Sequence, residues 1–171
     1  MDFKTQLLGE LSRRNTDFVI HTIGSNEDHF CEIIWLILHE KEPVPSRAAW
    51  VADGVSLTYP EMIKPYLSAL IQKLPSYQHP GTIRNVLKIL TRYPIPHEEE
   101  GFLADFCFNS IIEAENPVAI KVHSMQILAN LAQIYPELSI ELCTIIEDQF
   151  DKNSAGFKSK GRKILQEFQQ R

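Results

Sequence analysis

The stretch from Pro117 to Pro136, PVAIKVHSMQILANLAQIYP, decides how the rest of the chain is read. At 100° per residue, His123, Gln126, Asn130 and Gln133 fall on one polar stripe roughly 80° wide. Around the rest of the helix stand Val118, Ala119, Ile120, Val122, Met125, Ile127, Leu128, Ala129, Leu131, Ala132 and Ile134. A helix apolar over about three-quarters of its circumference needs neighbours behind it and on both flanks. The segment is too polar and too interrupted to span a membrane. It reads as an inner helix of a layered all-α array.

Working outward, the remaining periodicity is helical and the punctuation is proline, glycine and capping residues. Phe3, Leu7 and Leu11 predict a first helix ending near Asn15, and a short one runs through Phe18 and Ile23 to Gly24. Ser25 to Asp28 reads as a capping box ahead of a helix carrying Phe30, Ile33, Ile34, Ile37 and Leu38. Further helices are expected over 46–59, 60–74, 81–93 and 98–116, then the central helix, then 136–151 and 154–168. The 60–74 and 136–151 helices start on Pro-Glu, which suits a first turn. No segment of convincing length alternates as a strand does.

The ten segments form about five pairs, and the pairs repeat. YPEM begins at Tyr59 and YPEL at Tyr135, 76 positions apart, while Arg47, Arg84, Lys121 and Lys158 recur at intervals of 37. Each basic residue falls early in the second helix of a pair. Such a period predicts a solenoid, in which each two-helix unit buries its apolar faces against its neighbours. The chain therefore reads as one domain over 1–171, an α-α superhelix.

Composition narrows the function. With 44% hydrophobic and 23% charged residues and a formal charge of −5, a folded soluble protein is expected, with no global attraction for nucleic acid or anionic membrane. No signal peptide, lipidation motif or transmembrane run is recognisable. Cys31, Cys107 and Cys143 stand singly among apolar residues, the pattern of reduced core thiols in a cytoplasmic protein. HExxH, GxSxG, phosphate-binding and dinucleotide loops and cysteine-histidine zinc spacings are all missing from the sequence. His21, His29 and His39 are scattered over turns and helix ends. The expectation is no catalytic residue, no metal and no cofactor.

At this point the chain resembles a family. Pro-x-Arg-Ala-Ala-Trp at 45–50, Ile-Arg-Asn-Val-Leu at 83–87 and Val-Ala-Ile-Lys at 118–121 are similar to second helices of HEAT or armadillo-type repeats. RAAWV, RNVLKIL, PVAIKVHSMQIL, YPELSIEL and SAGFKSKGRKIL resemble a small bacterial HEAT-like family. Five residues before each basic position, where the family uses aspartate, stand Glu42, His79, Asn116 and Asn153. The resemblance implies that second helices line a concave side. First helices sum to −13 and second helices to +8, so it also implies an acidic back and a basic groove.

The candidate binding residues follow from that groove. Arg84, Lys88 and Arg92 share a helix face; Arg47, Trp50 and Asp53 lie on the polar side of theirs; His123, Gln126, Lys160 and Lys163 are expected along the same side. Lys121, among apolar residues, reads as a structural tie, and Trp35, between Ile34 and Leu36, as core. Trp50 has two readings. It packs into a neighbouring repeat with its N–H on a carbonyl, or it stands accessible beside Arg47 and Asp53 to hold a planar or cationic group. The leading expectation is a non-enzymatic module binding a protein partner of acidic character. The alternative is nucleic-acid binding, or a DNA-alkylation-repair-like glycosylase with Asp53 as its acid.

Overall fold

The computed structural model describes residues 1–169, and among them every regular element is helical. The chain is an all-α, HEAT-like solenoid of ten α-helices in five consecutive pairs among the described residues. Its contacts gather into two compact units, Met1–Pro96 and His97–Arg171.

In the first unit, α1 (Phe3–Gly9) and α2 (Arg13–Ile23) are followed by α3 (Glu27–His39) and α4 (Val44–Thr58), then α5 (Leu67–Lys73) and α6 (Pro80–Leu90). The hub is α4, which packs against α1, α2, α3 and α6. Its buried positions are mostly small: Ala48, Ala49, Ala52 and Ser56 accompany Val44, Val51 and Val55. Small side chains let neighbouring helices close in. At Gly54 a Cβ would stand 2.2 Å from Ile20 Cδ1 of α2, so any larger residue requires the end of the Ile20 side chain to turn aside.

Helix ends account for the differences from the expected boundaries. Glu10 is extended at φ −151° and ψ 133°, which ends α1 early and leaves Leu11 exposed. Ser12 then starts α2, its Oγ accepting from Asn15 N at 3.0 Å. The cap of α3 is Asn26 rather than Ser25, through Oδ1 to His29 N at 3.0 Å. The expected helix over 60–74 is broken into 3₁₀ turns, Pro60–Met62 and Lys64–Tyr66, before α5 begins. Pro65 is the cause, since mid-helix it lacks the N–H and clashes with the preceding turn. Gly24 ends α2 at φ +51°, a region other residues rarely adopt.

Two expected core residues of α3 are not core. Trp35 is 52% exposed and lies against His39 at 5.2 Å between ring centroids. Sequence neighbours on a helix point about 100° away, so the buried Ile34 and Leu36 do not carry Trp35 inside with them. Cys31 is exposed by the same phase argument, whereas Cys107 is buried and Cys143 half-buried.

The second unit comprises α7 (Glu100–Ile112), α8 (Val118–Ala132), α9 (Glu137–Gln149) and α10 (Ala155–Gln169). Here α8, the central helix of the sequence, packs against α7, α9 and α10. Met125, Ile127 and Leu128 are fully buried. Both hubs, α4 and α8, are fifteen-residue second helices. The polar stripe of α8 is hydrogen-bonded, with Asn130 and Gln133 still exposed. Gln126 donates to Asn130 Oδ1 at 2.7 Å and accepts from Lys160, and Gln133 donates to Glu167 at 2.8 Å.

Lys121 is 3% exposed, and its Nζ donates to Asn153 Oδ1 at 3.0 Å. That contact ties the second helix of one pair to the turn inside the next. Burial holds the Lys121 ammonium below its ordinary pKa. Among the described residues no helix is long and apolar enough to cross a membrane.

Candidate functional site

The ten candidate residues divide between the units, Arg47, Trp50, Asp53, Arg84, Lys88 and Arg92 in the first and His123, Gln126, Lys160 and Lys163 in the second. Within the first unit the structure sorts them further, into a clamp and a cleft.

The clamp is centred on Asp53, whose side chain is 5% exposed on α4. From α6, Lys88 Nζ meets Asp53 Oδ2 at 2.7 Å, and just beyond the helix Arg92 NH2 lies 2.8 Å from Oδ1. The approach of Arg92 to Oδ1 is off the hydrogen-bond line, so it acts as a charge contact. Its hydrogen bonds go instead to Ser56 Oγ at 3.0 Å and to the carbonyls of Lys88 at 3.3 Å and Asp53 at 3.5 Å. Tyr93 adds a hydroxyl donated to the Ser56 carbonyl at 2.8 Å. Two of the three cations expected on one open face are thus spent holding α6 to α4. The same geometry bears on the glycosylase alternative, because a carboxylate enclosed by two cations is ill-placed to meet an extruded nucleotide.

The cleft lies toward the other end of these helices. About 360 Å³ in volume, it is lined by Leu11, Ser12, Arg13, Ser46, Arg47, Trp50, His79, Gly81, Arg84 and Asn85. No carboxylate is among them. Arg47 is anchored, its NH1 donating to the carbonyls of Leu7 at 2.6 Å and Leu8 at 3.2 Å. It thereby caps the C-terminus of α1, where a cation also meets the negative end of the helix dipole. Arg84 is exposed, touches Asn85 Oδ1 at 3.4 Å, and enters no ion pair among the described residues. Trp50 is half-buried, and its indole N–H meets no acceptor among the described residues. Of its two readings, the expected bond to a carbonyl is the one the structure does not contain.

In the second unit, Gln126 and Lys160 meet directly. Partial burial, and then the like charge of Lys163, depress the Lys160 pKa. Lys163 is exposed and His123 half-buried. No group of three or more His, Cys, Asp or Glu converges as a metal site among the described residues.

A family model described as a HEAT repeat domain matches residues 3–168. The chain belongs to the HEAT-repeat family. No curated protein and no solved structure matches it. Within this HEAT chain three of the four recurring basic residues make different contacts. Arg47 caps α1, Arg84 lines the cleft, and Lys121 makes the tie to Asn153.

Sequence reasoning missed a further site in the second unit. Glu100 Oε2 accepts from Tyr135 OH at 2.6 Å and lies 2.9 Å from His97 Nδ1, beside a second cleft. The Tyr-Pro repeat marked Tyr135 as a turn residue, and Glu100 passed for a helix-start acid. Nothing in the local pattern connects them.

Proposed function

We propose that this HEAT-repeat chain is a non-enzymatic binding module, cytoplasmic and acting as one domain, whose partner is a protein segment of acidic character. The observation that carries this reading is the cleft on α4 and α6. It offers Trp50 as an apolar wall, Arg47 and Arg84 as cations, and no carboxylate to oppose them. Arg84 is the group free to pair, since Arg47 is held by α1. A carboxylate seated there exchanges water for a guanidinium, and its neighbouring apolar atoms cover the indole. Lys88, Arg92 and Asp53 support the cleft from the other end of these helices by fixing α6 on α4, and the Lys160–Lys163 pair adds positive charge in the second unit.

The test is capture of the partner from an extract of the source cell by wild type, Arg84→Glu and Trp50→Ala. A shared partner that Arg84→Glu retains at least about tenfold less well, roughly 1.4 kcal/mol, is the expected result. Capture unchanged in both variants contradicts the reading. Recovery of nucleic acid instead, with affinity falling steeply with salt, replaces the protein partner by a polyanion.

A further inference from the structure

The second-unit cleft has a shape and chemistry opposite to the first, and it stands independently of the reading above. About 280 Å³ in volume, it is walled by Ala104, Leu131 and Leu138, with Gly101, Tyr135 and Glu137 around them. One carboxylate is set into it. The Glu100 side chain is 13% exposed, and its Oε2 is engaged by Tyr135 and by His97. Its other oxygen, Oε1, takes no partner among the described residues, and no lysine or arginine lines the cleft. The hydroxyl of Tyr135 favours the charged form and holds the Glu100 pKa below the ordinary carboxylate value. A half-satisfied, ionised carboxylate between leucine side chains calls for a cation carried on an apolar stem.

We infer that this cleft is a socket for an arginine side chain presented by a protein partner. A guanidinium is flat and weakly hydrated, so it enters an apolar-walled slot at less desolvation cost than an ammonium. It can donate to Glu100 Oε1 while its methylenes cover Leu131 and Leu138. That the occupant belongs to a protein rests on the charge around the cleft, where a second carboxylate stands beside Glu100. Glu137 adds a second negative charge, so the site is complementary to a basic segment.

The test is a resonance-by-resonance titration of the isotope-labelled full chain with three probes: N-acetyl-arginine methylamide, its citrulline counterpart, and a capped peptide with one arginine between leucines. Expected are saturable shifts at Leu131, Tyr135 and Leu138 with blocked arginine, none with citrulline, and tighter binding of the peptide. Glu100→Gln is expected to weaken the peptide at least about tenfold. Because that change also disturbs Tyr135, Gly101→Phe supplies a second variant. A Cβ at Gly101 meets no atom within 4 Å, so a ring can be added at this lining position without strain and is expected to obstruct binding. Arginine and citrulline shifting the protein alike, or binding that survives both variants, overturns the socket. A peptide that binds no tighter than blocked arginine overturns the protein partner. Arg84→Glu leaves all of these titrations unchanged, which separates this site from the first cleft.

Discussion

Asp53 on α4 and Arg92, two residues past the end of α6, meet at 2.8 Å with the carboxylate buried and the guanidinium at its edge. A charge contact of this kind between neighbouring pairs holds only while both helices keep their register. Removing the acid leaves Lys88 and Arg92 facing each other with no counter-ion between them. Asp53→Ala is expected to cost about 2–4 kcal/mol in urea unfolding. Lys88→Ala, at a side chain 45% exposed, costs less than about 1 kcal/mol. Equal losses would mean that the clamp is not centred on Asp53.

Gly54 supplies a steric counterpart. A methyl there overlaps the end of the Ile20 side chain, which must turn aside, so Gly54→Ala is expected to destabilise by about 1 kcal/mol despite alanine's better helix propensity. Ile20→Ala made in the same chain should recover much of that loss. A double-mutant cycle without coupling would show that α2 does not approach α4 at this point.

Leu128 and Gln126 separate the faces of α8. Leu128→Ala removes a fully buried side chain and is expected to cost about 2–5 kcal/mol. Gln126→Ala loses the hydrogen bonds to Lys160 and Asn130 on a partly exposed face, and costs no more than about 1 kcal/mol. Comparable melts for the two variants would contradict the placement of the stripe.

How much of this was legible beforehand follows from the range of each interaction. The paired helices, their number and the deep burial of α8 come from apolar spacing within single helices, which a sequence displays directly. Pro65 was equally visible, yet the apolar residues either side of it masked the break. The pairing of Asp53 with Lys88 and Arg92 was hidden. It spans 35 and 39 positions, and a helical wheel shows that cations share a face without showing what faces them. Glu98, Glu99 and Glu100 make the same point. They read alike as helix-start acids, but Glu98 is exposed, Glu99 buried, and Glu100 committed to Tyr135.

The hydroxyl of Tyr135 depresses the Glu100 pKa, and the sign of its contribution to stability follows. A carboxylate lowered in the folded state stabilises the fold above its unfolded value of 4.5, and that contribution is lost as pH falls through the folded value. Tyr135→Phe is therefore expected to raise the Glu100 midpoint toward 4.5 in a carboxyl-resonance titration. It should also shrink the difference in stability between neutral and mildly acidic pH. An unmoved midpoint would assign the depression to His97 instead.

Cysteine labelling reads burial independently. Burial pushes the Cys107 thiol up to about 12, so it stays protonated and enclosed at neutral pH. An alkylating reagent should modify exposed Cys31 in the native chain and reach Cys107 only on unfolding. Rapid native labelling of Cys107 would mean that α7 opens readily from α8.

Trp50 reports on the central claim. In a Trp35→Phe chain it is the one tryptophan left, so its fluorescence follows the cleft alone. A capped peptide of alternating glutamate and leucine is titrated at fixed ionic strength, with its glutamine counterpart as control. The account predicts a saturable change with the glutamate peptide, weakened about tenfold by Arg84→Glu and absent with the glutamine peptide. No response to the glutamate peptide, or equal responses to both, would contradict an acid-binding cleft at Arg47, Trp50 and Arg84.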